Sequence, residues 1–376
     1  MKNKFIPFYF PQLHRIPEND KWWGEGYTDW DRVKSAMPHH HMHYQPRIPL
    51  HDKYYDQSEE NTLRWQINLA QEYNVFGFNF YHYWFDGKLL LEKPLQIFKR
   101  LDHDLKFCIT WANETWSKRW DGKFNEILIQ QNHNYDIVEW EKHFDYLLEY
   151  FKDERYIKID GKPVFMIYRP DIFPKVNEFL MFMRQRATNS GLKGLHIVGI
   201  KAYEVKYQEI YDPFDAILIF QPRDFFGHCS NDRSKTLKWL EKKLRNLPEK
   251  YQLWLGDVRH KFQNSTAYSI DDFWEHILKI AKGNVEPDSK KIWTSILPDW
   301  DNTARYGKKS KYFLGSSPHK FEEYLKQLIE IESRKQEEDR LFFVNAWNEW
   351  SEGAYLEPDE KNGYEYLNVI KRLSDV

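Results

Sequence analysis

The residues best suited to chemistry stand together near the C-terminal end, in Asn345-Ala-Trp-Asn-Glu-Trp-Ser-Glu-Gly-Ala-Tyr-Leu-Glu-Pro-Asp359. An apolar run leads into Asn348, Glu349, Glu352 and Glu357, which fall within ten residues. Glycosidic cleavage calls for carboxyl groups at close range, one protonated to serve the leaving oxygen and another ionised as base or nucleophile. Mutual repulsion between Glu349 and Glu352, with Trp347 and Trp350 beside them, raises one pKa and separates the two duties. An exposed acidic loop, or a helix N-terminus that favours negative charge, accounts for the same spacing without chemistry. Glu-x-x-Glu alone is a weak signature.

A second cluster, Trp111-Ala-Asn-Glu-Thr-Trp-Ser-Lys-Arg-Trp-Asp-Gly122, interleaves tryptophans with Asn113, Glu114, Arg119 and Asp121. Flat rings meet sugar C–H faces while polar groups bond hydroxyls, so this reads as a sugar-binding wall. A loop packed on a rim is the plainer alternative. Other run ends add to the binding set, which comprises Tyr9, His82, Trp84, Trp111, Asn113, Glu114, Trp116, Arg119, Tyr168, Trp347 and Asn348. A histidine at a strand end is more often hydrogen-bonded structure than catalyst, so His82 is placed among the binders.

His39, His40, His41 and His43 suggest a metal, but near-consecutive histidines do not converge easily on one ion. No H-E-x-x-H, C-x-x-C or Asp-rich calcium loop occurs. Dinucleotide and P-loop fingerprints and the G-x-S-x-G elbow are absent as well. The expectation is therefore neither metal nor cofactor.

The elements that must hold these residues alternate. Short apolar runs rich in β-branched and aromatic residues alternate with helical spacing, the pattern of βα units around a parallel sheet. Eight strands are expected, at Phe5–Tyr9, Val75–Tyr81, Leu105–Trp111, Pro163–Tyr168, Leu195–Ile200, Ala216–Phe220, Lys291–Leu297 and Leu341–Trp347. A ninth run, Tyr251–Leu255, is ambiguous. Helices are expected around Leu63 to Tyr73, Ile137 to Phe151, Val176 to Ala187 with Gly191 as cap, Leu237 to Leu244 and Phe321 to Leu328. The implied fold is an α/β, (β/α)₈ TIM-type barrel with long βα loops, a single domain over residues 1–376, in which the loops after the strands carry the site.

Lys and Arg number 55 against 57 Asp and Glu, a formal net charge of -2, so nothing marks the chain for nucleic acid or an anionic membrane. No uncharged apolar run approaches the roughly 18 residues that span a bilayer. The opening Met1-Lys-Asn-Lys-Phe-Ile-Pro-Phe-Tyr-Phe-Pro lacks the apolar core and cleavage site of a secretory leader. With two cysteines, Cys108 and Cys229, no disulfide framework is possible, and the expected location is cytoplasmic. Aromatic residues are 18% of the chain, enough both to fill a core and to line a groove.

Beyond these readings, Phe8-Tyr-Phe-Pro-Gln12, Trp22-Trp-Gly-Glu-Gly-Tyr-Thr-Asp-Trp30, His43-Tyr-Gln-Pro-Arg47, Tyr81-His-Tyr-Trp-Phe85, Trp111-Ala-Asn-Glu114, Ile159-Asp-Gly-Lys-Pro163, Pro298-Asp-Trp-Asp-Asn302 and Trp347-Asn-Glu-Trp-Ser-Glu-Gly353 form a set. Together they resemble the WbsX-type glycosyltransferase-like proteins of bacterial lipopolysaccharide O-antigen and capsule biosynthesis, which are similar to glycoside hydrolase family 99, the endo-α-mannosidases. The resemblance implies a (β/α)₈ barrel and, for the hydrolase relatives, retaining cleavage without a metal. There the first glutamate takes a proton from the substrate 2-hydroxyl, closing a 1,2-anhydro sugar, and the second serves the leaving oxygen. Carried over, Glu349 is the base and Glu352 the acid/base. Ser351 falls where the endo-mannosidases tend to have histidine.

The function expected is glycosyl transfer in surface-polysaccharide biosynthesis on an oligosaccharide or lipid-linked glycan. An endo-acting hydrolase is the alternative, and a sugar-binding protein without catalysis a third reading, opposed by the presence of both glutamates.

Overall fold

A computed structural model describes residues 3–118, 123–133, 136–205, 208–231, 265–283, 291–334 and 340–375. All eight expected runs form strands: β1 (Lys4–Tyr9), β2 (Gly77–Phe85), β3 (Lys106–Trp111), β4 (Lys162–Ile167), β5 (His196–Lys201), β6 (Ala216–Ile219), β7 (Lys291–Thr294) and β8 (Leu341–Val344). They pair in parallel in the order β7-β6-β5-β4-β3-β2-β1-β8. The ring closes at one bridge. The Ile296 N–H donates to the Phe343 carbonyl at 2.9 Å and the Asn345 N–H to the Ile296 carbonyl at 2.7 Å. The architecture is a parallel eight-stranded TIM-type barrel with helices outside it.

Local sequence explains the departures from the expected bounds. The strand β2 runs on to Phe85 and folds back on Lys88–Leu90, with Phe85 opposite Lys88. The two turn residues are Asp86 and Gly87, at φ 44° and 92°. That dipeptide suits the positive φ angles of a tight hairpin. The helix Val176–Asn189 ends as expected: Gly191 has φ 84° and the Leu192 N–H returns to the Ala187 carbonyl at 3.0 Å. The helices Ile137–Phe151 and Pro318–Glu332 also fall on expected patterns. The spacing did not single out Lys93–Arg100, Ile270–Gly283 or Glu365–Ser374. The expected helix through Leu237, Leu240 and Leu244 and the run Tyr251–Leu255 lie outside the described residues.

The bulky rings do fill the core. Phe8 on β1 meets Tyr81 of β2, Phe220 beyond β6 and Phe343 of β8, with centroids 5.2, 5.3 and 6.3 Å away. Apolar burial of this kind gives roughly 25 cal/mol per Å². Among the described residues, no helix is long and apolar enough to cross a membrane.

One close approach is testable. Gly77 pairs with Lys106 across β2 and β3, and a Cβ there would stand 2.4 Å from the Lys106 carbonyl oxygen. Since the obstacle is backbone, Gly77→Ala is expected to lower unfolding free energy by about 1–3 kcal/mol. Urea denaturation giving an unchanged midpoint would reject this packing.

Candidate active site

The chain beyond β8 makes a tight turn. Asn348 and Glu349 pair antiparallel with Tyr355 and Ala354, and Trp350–Glu352 forms a 3₁₀ turn between them. Gly353 completes it at φ 62°, where a Cβ would lie 2.9 Å from the Asp301 nitrogen. A side chain fits there neither conformationally nor sterically. The Asp301 N–H donates to the Glu352 carbonyl at 2.7 Å, so the backbone of Glu352 is clamped from the loop after β7.

Both candidate glutamates turn toward one guanidinium. Arg305, on the short helix Thr303–Tyr306, donates from Nη2 to Glu349 Oε1 at 2.5 Å and from Nη1 to Glu352 Oε1 at 2.7 Å. The same Nη2 reaches Asp29 Oδ2 at 3.3 Å, and the guanidinium lies over the Phe10 ring. Ser351 donates its hydroxyl proton to Asp29. The Ser351 hydroxyl is thus spent on the Asp29 side of the cluster. Burial pushes the Glu349 carboxyl well above the usual carboxylate range; Glu352 and Asp29 push the same way, while Arg305 pulls it down.

Beneath the turn, Glu357 accepts from Tyr55 Oη at 2.6 Å, Gln66 Nε2 at 2.7 Å and Trp350 Nε1 at 2.7 Å. The Trp350 ring stacks on Tyr355 at 3.8 Å. Glu357 is therefore scaffold. Two histidines of the tract are scaffold as well: His43 Nε2 sits 2.8 Å from Asp301 Oδ2, and His39 Nε2 sits 2.8 Å from Ser310 Oγ. Burial opposes ionisation of Asp301, yet His43, Arg47, Thr303 and Gln45 together hold its carboxyl down to about 2.

Glu349 and Glu352 open into a cleft, with Tyr81, Tyr83, Trp22, Trp23, Arg223 and Arg305 also on its walls. Of the expected binding residues, Glu114, Trp116 and Tyr168 line it. Glu114 accepts from Arg169 Nη1 at 2.6 Å. Trp116 packs edge-on against Tyr83 and Trp22, with centroids 4.9 and 5.9 Å away.

Seven of the expected binding residues lie away from the cleft. Tyr9, His82, Trp84, Trp111, Asn113, Trp347 and Asn348 are buried and do not line the cleft. On β2 the reason is the two-residue period of a strand: Tyr81 and Tyr83 face the cleft, which turns His82 and Trp84 the other way. There His82 Nε2 and His143 Nε2 are 3.0 Å apart, Trp84 stacks on His143 at 4.8 Å, and Trp111 Nε1 donates to the Trp84 carbonyl. Burial lowers the His82 pKa to about 3, so its ring is neutral. The Tyr9 hydroxyl donates to Gln66. Asn113 exchanges two hydrogen bonds with the Arg169 backbone, Asn348 does the same with Phe10, and the Trp347 ring packs on Phe78. These are wall-building contacts. Arg119 lies outside the described residues.

Arg305 and Asp29 were not among the expected site residues. Asp29 is inside one of the sequence blocks quoted above, and Arg305 follows another by three residues. The first block runs into an Asp-Trp-Asp triplet, Asp29 to Asp31, and the second holds one, Asp299 to Asp301, a signal that was there to use.

The brace at Glu357 makes a prediction. Burial raises its carboxyl to about 7 despite three donors, against about 4.3 in an unfolded chain. The folded state then binds the proton more tightly, so this group's stabilisation is complete below about 4.3 and is lost as pH rises through 7, at up to about 1.4 kcal/mol per pH unit. Glu357→Gln should flatten the pH dependence of urea unfolding between those limits. Parallel curves for the two proteins would contradict it.

Comparison with known proteins adds the family. The family model described as Glycosyltransferase WbsX matches residues 5–370. Two curated proteins, both called uncharacterized protein WxcX and from two strains of Xanthomonas campestris pv. campestris, are 32% identical over 374 and 373 residues. The matches cover 98% of this chain and 49% of theirs, so the chain spans about half the length of these relatives. A solved glycoside hydrolase-like protein aligns with TM-score 0.60 at 12% identity, covering 100% of this chain and 94% of its own. The GH99 endo-α-mannosidase from Bacteroides thetaiotaomicron aligns with TM-score 0.55 at 14% identity, covering 100% and 97%. At such identities the structural likeness speaks for the fold.

Proposed function

Because the chain belongs to the WbsX glycosyltransferase family, we propose that it is a carbohydrate-active enzyme that transfers a glycosyl unit during assembly of a bacterial surface polysaccharide. The observation that carries this reading is the Arg305 guanidinium held between Glu349 and Glu352 at the cleft floor. Two carboxyl oxygens bound to neighbouring nitrogens of one planar group are kept close together, the arrangement expected of retaining rather than inverting chemistry. An open cleft with aromatic walls suits an oligosaccharide or lipid-linked glycan. The reading includes a cytoplasmic site of action.

In this mechanism Glu349, ionised, takes the proton of the substrate 2-hydroxyl while that oxygen attacks the anomeric carbon. Glu352 gives its proton to the departing glycosidic oxygen. The acceptor hydroxyl then returns a proton to Glu352 and opens the 1,2-anhydro ring, whose oxygen recovers its proton from Glu349. A carboxylate with a raised pKa is the stronger base, which favours Glu349 in that part. Arg305 keeps enough of it ionised to act. A water molecule could replace the acceptor without any change in the carboxylates, so hydrolysis is the second reading.

Glu352→Gln is expected to cut turnover of unactivated glycans by about 10²–10⁴-fold, to preserve binding, and to spare an aryl glycoside whose leaving group needs no proton. Glu349→Gln should abolish turnover of both. Undiminished turnover by Glu352→Gln would remove the acid assignment. Reducing ends released with no acceptor present would decide for hydrolysis, and product formed only with an acceptor sugar would decide for transfer.

The base also fixes a pH limb. Since Glu349 must be ionised, kcat/KM should rise as pH climbs through a pKa above the ordinary carboxylate range, and Arg305→Gln, which removes the group lowering it, should move that limb to higher pH. A limb that stays in place would show that the base is another group.

A further inference from the structure

Charged groups on the cleft wall are Glu114, Arg223, Arg305, Glu349 and Glu352. Most are matched. Arg305 holds both active-turn glutamates, and Glu114 is held by Arg169, which also binds Asp171 at 2.7 Å. Arg223 is different. It opens the helix Arg223–Asn231 that follows β6, and its half-buried guanidinium rests over the face of Tyr203 at 5.4 Å. Its Nε is sealed from water and has no hydrogen-bond partner among the described residues. The ionisable groups that act on it are Tyr168, Tyr203, Glu352 and Glu114; among the described residues none of these carboxylates lies within ion-pair distance.

A guanidinium carries five N–H donors in a fixed plane. Leaving it half-buried with no protein acceptor among the described residues is unfavourable, because buried charges are normally paired. The first backbone donors of its helix are not available to a ligand either, since the Asp224 N–H is taken by the Phe220 carbonyl and the Phe225 N–H by Gln221 Oε1. The side chain is therefore what remains at this point to meet an anion, and it shares the Tyr203 ring with Arg169, which lies 4.5 Å from it.

We propose that Arg223 pairs with an anionic substituent, a carboxylate or phosphoryl group, on the glycan in the cleft, so that the substrate is an acidic oligosaccharide. The planar fork matches either group in two-point geometry. This rests on the glycan reading of the cleft given above.

Calorimetric titration would use three tetrasaccharides: one with a hexuronic acid, the same chain with that carboxyl reduced to the alcohol, and the same chain bearing a 6-phosphate. The wild-type protein should bind at least one charged chain ~10-fold or more tighter than the neutral one. Arg223→Gln should erase that gap, and Arg223→Lys should retain part of it. The preference of the wild type should also shrink between low and high salt, a measurement that stands even if Arg223→Gln does not fold. Which charged chain wins distinguishes uronate from phosphate. Equal binding of charged and neutral chains, or a gap that survives Arg223→Gln, overturns the role of Arg223 and leaves the cleft reading standing. Failure of every glycan to bind overturns both.

Discussion

Asp29, Glu349 and Glu352 can share one buried floor because the Arg305 guanidinium lies among them. Carboxylates brought that close without a cation would repel strongly in a medium of low dielectric, and at least one would be forced neutral. The four groups arrive from three parts of the chain: Asp29 from the long connection after β1, the glutamates from the turn after β8, and the arginine from the loop after β7. One electrostatic knot therefore sets how three loops meet, and the cleft takes its shape from that meeting.

Around the knot stands a layer whose work is to hold backbone still. Asp301 is fixed by His43, Gln45 and Thr303 and gives its N–H to the carbonyl of Glu352. Glu357 fixes the indole of Trp350 from below. Residues whose types suggest chemistry, a histidine tract and a third glutamate, are here the supports for two acids. Preorganisation of this kind keeps catalytic groups within tight tolerances of their working geometry.

The barrel was legible because each strand is a short run of β-branched and aromatic residues whose both faces are covered. The two glutamates were legible because they follow such a run directly. Binding residues were harder to read, since a strand end names a neighbourhood and not a face: Tyr81 and Tyr83 face the cleft while the more distinctive His82 and Trp84 do not. Nothing local in the sequence marks that parity. Arg305 and Asp29 were hard to connect for another reason, being 276 positions apart and joined only once the barrel brings its ends together.

That joining happens where the ring is thinnest. β2 and β3 run side by side from Gly77 to His82, whereas the chain just beyond β7 meets β8 at the bridge of Ile296 with Val344. The charged cluster sits just beyond this seam and ties the loops on its two sides together, so it works as a second clasp beside the backbone bridge. One guanidinium thus holds the floor of the cleft and, beside the Ile296 bridge, the seam at which the barrel's two ends meet.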